Sequence, residues 1–128
     1  MSRPPRILVT GSRDYTDRDA VREALLFHWK DLGSRLDTVL IQGECQHGGA
    51  DLFAKECWLK GGMPIEGYYA AKDPNKPGWL LGPERNQKMV DSGADICIAF
   101  PLEDSRGTWD CINKAKAAGI PVTIVEAS

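Results

Sequence analysis

Ile7-Leu8-Val9-Thr10-Gly11-Ser12-Arg13 decides the fold: strand-forming residues run straight into a turn of small, hydroxyl-bearing and basic residues, and a helical pattern follows. The chain does this twice more. Thr38-Val39-Leu40-Ile41-Gln42 runs into the turn from Gly43 to Asp51, and Ile96-Cys97-Ile98-Ala99-Phe100 into the turn from Pro101 to Thr108. In an open parallel sheet such turns share the carboxyl edge, where unpaired backbone N–H groups and helix N-termini favour an anion, usually a phosphate.

Working outward, apolar runs at 6–10, 38–42, 64–69, 95–100 and 121–125 read as five strands separated by helical spacing. This alternation predicts one α/β domain over residues 1–128. The expected architecture is Rossmann-like, a five-stranded parallel sheet in the order 3-2-1-4-5 with helices on both faces. In the first helix Val21, Leu25, His28 and Leu32 share a face, with Thr16 or Asp17 as cap and Gly33 at the end. The second puts Ala50, Phe53, Ala54 and Cys57 on one side and stops at Gly61-Gly62. The third is expected from Pro83 to Ser92, on the rule that proline suits a first helical turn. The fourth is expected from Thr108, as cap, to Ala118, with Cys111, Ile112 and Ala115 inward. The irregular stretch from Ala70 to Gly82 reads as a lid over the crevice.

With 16 basic and 18 acidic residues among 128, the net charge of −2 disfavours a broad nucleic-acid surface but leaves room for one charged ligand. The basic lead Arg3-Pro4-Pro5-Arg6 precedes an apolar run too short for a signal peptide or membrane span, so a cytoplasmic, non-membrane protein is expected. The four cysteines, at 45, 57, 97 and 111, show no C-x-x-C spacing and read as free core thiols. Cys45 and His47 make half a metal corner without a second pair, so no metal and no cofactor are expected.

The turn residues offer two readings each. The loop Gly43-Glu-Cys-Gln-His-Gly48-Gly49-Ala50-Asp51 has the glycine span of a Walker A loop but Gly-Ala where Lys and Ser or Thr belong, so it cannot hold a triphosphate and magnesium in that way. Gly48 and Gly49 serve either a tight strand-to-helix turn or a ligand loop. Asp51 is either a helix-start partner or an acceptor for a ribose hydroxyl. Ser12 and Arg13 fit phosphate oxygens, the alternative being a surface pair of Arg13 with Asp14 or Asp17. Arg85 and Asn86 face either the crevice or solvent. Arg106, Gly107 and Thr108 close the set, glycine permitting close backbone approach. His28 reads as a core histidine, and His47 as a titrating group near the crevice. Trp79 and Trp109 are base-stacking candidates, Trp29 and Trp58 packing residues.

These motifs together, ILVTGSRDYTD at 7–17, GECQHGGADLFAKECW at 43–58, GPERNQKM at 82–89, DICIAFP at 95–101 and RGTWDCINKAKAAGIPV at 106–122, resemble the SLOG superfamily, the Rossmann-like group named for the Smf/DprA and LOG proteins. Within it the chain looks like the YspA-like branch. The resemblance implies a homo-oligomeric, bacterial or phage domain that binds a nucleotide-derived ligand at Gly11, Ser12, Arg13, the 43–51 loop, Arg85, Asn86, Gly107 and Thr108. The LOG phosphoribohydrolases carry an arginine ahead of the fourth strand, which Arg85 matches, and a Pro-Gly-Gly-x-Gly-Thr-x-x-Glu motif after it. Here the double glycine is gone, the loop is longer, and Cys111 replaces the glutamate. Glycosidic cleavage by this chain would need Asp110 or Glu103 in its place, with Arg85 orienting phosphate. Three functions are thus expected in descending order: a sensor or sequestering module for a phosphate- and ribose-containing ligand, a nucleotide N-glycosidase, and a single-stranded nucleic-acid accessory protein.

Overall fold

The computed structural model describes residues 3–44, 48–70 and 73–126. Five strands, β1 (Arg6–Gly11), β2 (Val39–Gln42), β3 (Ile65–Gly67), β4 (Ile96–Phe100) and β5 (Val122–Ile124), form one parallel sheet in the order β3-β2-β1-β4-β5. Four helices connect them: α1 (Arg18–Asp31), α2 (Gly49–Lys60), α3 (Gly78–Asp91) and α4 (Arg106–Ala117). This is the expected order. Because β1 pairs with both β2 and β4, Leu8 lying opposite Ile41 on one side and Cys97 on the other, the connections leaving β1 and β4 diverge and open a crevice at the carboxyl edge.

The central strands are continuously apolar because both faces of a parallel sheet are covered. Ile7, Val9, Leu40, Ile98 and Phe100 pack under α1 and α2 with Val21, Leu25, Ala54 and Trp58. Leu8, Ile41 and Cys97 pack on the opposite face against Met89 and Val90 of α3 and Cys111 and Ala115 of α4. Alternation along each strand thus feeds two separate cores. Asp17 caps α1 by accepting the Ala20 N–H at 3.0 Å, and His28 is buried on the inner face, where loss of water lowers its pKa. Trp58 is fully buried and donates its indole N–H to the Thr38 carbonyl at 3.0 Å.

Two helix starts differ from expectation. α3 begins at Gly78, behind an extended Pro77, so Pro83 lies inside it and the irregular stretch ends five residues sooner. A proline removes one helical hydrogen bond but does not end a helix whose inner face is anchored, here by Asn86, Met89 and Val90. Trp79 consequently sits in the first turn of α3, exposed, rather than in a loop. α4 begins at Arg106 with Ser105 as its cap residue, so Thr108 stands buried in the first turn and does not cap the helix. Ser105 takes that place because its hydroxyl accepts the Leu102 N–H at 2.8 Å, closing the turn after β4.

Among the described residues no helix is long and apolar enough to cross a membrane. Cys57, Cys97 and Cys111 are free thiols. Cys45 and His47 lie outside the described residues.

Candidate functional site

β1 and β4 end side by side, and the Ser12 N–H donates to the Phe100 carbonyl at 3.2 Å, holding the two turns together. Gly11 allows α2 to approach from the other side, since a Cβ there would lie 2.5 Å from the Ala50 Cβ. Gly49 goes further. Its φ is +84°, and a Cβ would stand 2.3 Å from both the Arg13 Cα and the Ser12 carbonyl oxygen. Close approach of α2 to the β1 turn is therefore the physical reason for glycine at this position, and the Ala50 N–H donates to the Ser12 carbonyl across the contact.

The resulting cavity, about 470 Å³, is walled by Ser12 and Arg13 from the first turn, Asp51 from α2, Arg85 and Asn86 from α3, and Arg106, Gly107 and Thr108 from the start of α4. Gly11 lines it too. Of the residues singled out in the sequence, Gly43, Gly48 and Gly49 stand behind this wall. Thr10, Met89, Asp104 and Ser105 are in it without having been named as candidates, and Asp14, named only as a surface partner for Arg13, is in it too. Asp14 and Asp104 join Asp51 to put three carboxylates in the same wall as the three arginines.

The arginines differ in setting. Arg13 and Arg106 are exposed and make no ion pair among the described residues. Arg85 is half-buried and donates Nη1 to the Gly43 carbonyl at 3.2 Å, so the second turn positions it. Asn86 is buried and ties α3 to α4, donating Nδ2 to the Gly107 carbonyl and to the Asp110 carboxylate, both at 3.0 Å. The Gly107 and Thr108 N–H groups, in the first turn of α4, have no backbone acceptor among the described residues and give the cavity a helix N-terminus.

Asp51 is the unusual group. Its Oδ2 accepts the Gly43 N–H at 3.3 Å, while its buried Oδ1 has no partner. Burial raises its pKa to about 6, against the pull of the Arg85 guanidinium and the Gly43 N–H. Asp51 and Arg85 flank Gly43: a Cβ on that glycine would lie 3.0 Å from Asp51 Oδ2 and 3.2 Å from Arg85 Nη1. Yet no ion pair within 4.0 Å joins them.

Neither carboxylate named as a hydrolytic candidate lines this cavity. Asp110 is held by Asn86 and by Lys114 Nζ at 2.6 Å. Glu103 instead lines an adjoining cavity of about 670 Å³ with Asp14, Asp104, Glu126 and the half-exposed Trp109. The two cavities share Ser12, Asp14, Asp104 and Ser105. Cys111 is fully buried beside Cys97, whose thiol is pushed up by its hydrogen bond with Cys111 and by burial. Among the described residues no group of three or more His, Cys, Asp or Glu side chains could hold a metal ion.

Fold and crevice together define a Rossmann-like α/β domain of the kind that binds a ligand at its topological switch. The chain is 37% identical over 124 residues to the Gene 61 protein of Mycobacterium phage D29, an alignment taking in 91% of this chain and 93% of that protein. It belongs to the family of that phage protein. No family model matches the chain, and no solved structure matches it.

Proposed function

We propose that the protein binds a phosphate- and ribose-containing, nucleotide-derived small molecule in the crevice between the β1 and β4 turns, as a sensor or sequestering module of the SLOG superfamily and its YspA-like branch. One observation carries the reading. Three arginines from three different elements, Arg13, Arg85 and Arg106, converge with Ser12 and the N-terminus of α4 on a single cavity. Three carboxylates, Asp14, Asp51 and Asp104, share that wall. Such a balance suits a ligand that mixes one anionic group with hydroxyl donors better than a polyphosphate, whose charge they would oppose. The reading makes the protein a cytoplasmic homo-oligomer without a resident cofactor.

Binding is favoured over glycosidic cleavage because neither of the two carboxylates named for cleavage, Asp110 and Glu103, lines the cavity. Asp110 is engaged by an amide and an ammonium, and Glu103 faces the neighbouring cavity. The nucleic-acid reading is the weakest of the three, for a chain of net charge −2. The test is calorimetric titration with a panel of ribonucleoside monophosphates, ADP-ribose and cyclic nucleotides. At least one is expected to bind below millimolar, with Arg85→Ala weakening it tenfold or more. Failure of every member of the panel to bind would refute the reading.

A further inference from the structure

Resting on that reading, we infer that Asp51 and Arg85 form a hydroxyl-reading pair, so that the ligand must carry a free ribose hydroxyl and not merely a phosphate. Asp51 is more than nine-tenths buried and lines the cavity, and its Oδ1 is the one buried side-chain polar atom without a hydrogen-bond partner among the described residues. Leaving a carboxylate oxygen unsatisfied in the interior is costly, and a donor brought in by a ligand recovers that cost. Native structures retain such orphans where something else completes them.

The partner across the gap is a guanidinium. Arg85 is fixed by the Gly43 carbonyl through Nη1 and lies close to the Asn86 Oδ1 through Nε at 3.4 Å, and it reaches the same glycine as Asp51 without closing an ion pair. A hydroxyl is both donor and acceptor. Placed between the two, it donates to the carboxylate and accepts from the guanidinium, which neither a phosphate oxygen nor a methylene can do. A phosphate against Asp51 would instead meet like charge. The anion therefore belongs to the outer part of the cavity, with Ser12, Arg13, Arg106 and the α4 N-terminus, and the sugar to the inner part. Glu44, the remaining charged group that acts on Asp51, is taken up by Lys55 at 2.5 Å and by the Gln42 amide at 2.7 Å, so it does not compete for the hydroxyl.

The test compares adenosine and guanosine 5′-monophosphate with their 2′-deoxy and 3′-deoxy forms by equilibrium titration, on the wild type and on Asp51→Asn. Asparagine keeps an oxygen for the Gly43 N–H, and circular dichroism checks that the variant is folded. At least one deoxy form should bind the wild type ten- to hundredfold more weakly than its parent, as expected for a lost hydrogen bond to a charged group. Asp51→Asn should reduce that ratio to threefold or less. Equal binding of ribo and deoxy forms by the wild type overturns the inference and leaves the nucleotide reading standing. Undiminished discrimination by Asp51→Asn overturns the assignment to Asp51. Binding of none of the six probes overturns the inference, and the reading beneath it falls with it only when ADP-ribose and the cyclic nucleotides fail to bind as well. The wild-type comparison needs no variant, so a misfolded Asp51→Asn does not shelter the proposal.

Discussion

Asp51 and Gly49 show how one position can be set by the site and its neighbour by the fold. Because burial raises the Asp51 pKa from an ordinary 3.8 to about 6, its stabilising neutral form is fully present below the lower value and is lost as pH rises through the upper one. Ionisation over that gap costs the folded state on the order of 3 kcal/mol at neutral pH. Asp51→Asn should therefore be more stable than wild type at pH 7.5 by about 1–3 kcal/mol in urea unfolding, with the gain shrinking towards zero at pH 4. A variant less stable at both pH values would mean that Arg85 holds the carboxylate ionised at no net cost. Gly49 behaves oppositely. Gly49→Ala places a methyl group on the backbone of Ser12 and Arg13 at a left-handed φ and should cost roughly 2–5 kcal/mol in thermal unfolding. Gly33→Ala, also at positive φ but with nothing within 4 Å of the new methyl, should cost only about 1–2 kcal/mol. The difference between the two isolates close approach from backbone strain.

At the level of elements, the amino edge of the sheet is clamped by a residue unrelated to the crevice. Arg6, at the start of β1, donates Nε to the Gly93 carbonyl at 2.7 Å, Nη2 to Glu66 of β3 at 2.6 Å and Nη2 to Ser92 at 3.1 Å, tying β3 and the α3–β4 connection to the central strand. Its planar fork cannot be replaced by an ammonium, so Arg6→Lys should cost about 1–2 kcal/mol in urea unfolding. Arg6 and Tyr68 hold the Glu66 pKa below the ordinary carboxylate range. Wild-type stability should therefore fall as pH drops through that depressed value, and in Arg6→Lys this acid limb should be weaker. An unchanged limb would assign the acid loss to other carboxylates. The elements themselves were legible to different degrees. Ile7-Leu8-Val9 and Cys97-Ile98-Ala99-Phe100 announced buried parallel strands because both their faces are covered. The start of α3 was not legible, since Pro83 imitates a first-turn proline and only packing by Asn86, Met89 and Val90 extends the helix back to Gly78. The start of α4 was hidden likewise, Ser105 and Thr108 both being residues that cap well. Strand order brings the turns that carry Ser12, Arg13, Asp51 and Arg106 to one edge of the sheet, while Arg85 and Asn86 reach the same cavity through the packing of α3, which strand order does not dictate. Met89 joined them by helical spacing, one turn beyond Arg85 and Asn86 in α3, whereas Asp14 and Asp104 joined through side-chain directions that depend on turn geometry, which sequence spacing does not encode.

For the whole molecule, a crevice built from four separate connections couples ligand binding to global stability. The β1 turn, α2, α3 and the start of α4 all contribute to the cavity wall, so the site exists only in the folded chain and a ligand bound there stabilises that state. A ligand at one hundred times its dissociation constant should raise unfolding stability by about 2.7 kcal/mol. For a domain of this size that corresponds to a rise of roughly 8–14 °C in Tm. The rise should grow logarithmically with ligand concentration and should fall by about half or more in Arg85→Ala at the same ligand concentration. That variant's own unliganded stability should fall by about 1–3 kcal/mol, since it gives up the hydrogen bond to the Gly43 carbonyl and the guanidinium that offsets the burial of Asp51. Single-stranded DNA should produce no such rise at low salt, because a chain with two more acidic than basic residues offers the phosphate backbone no continuous positive track. A Tm rise with DNA but not with nucleoside monophosphates would move the function from the inner cavity to the surface, and would require that Arg13 and Arg106, the two exposed guanidinium groups at its rim, serve a polymer and not a small ligand.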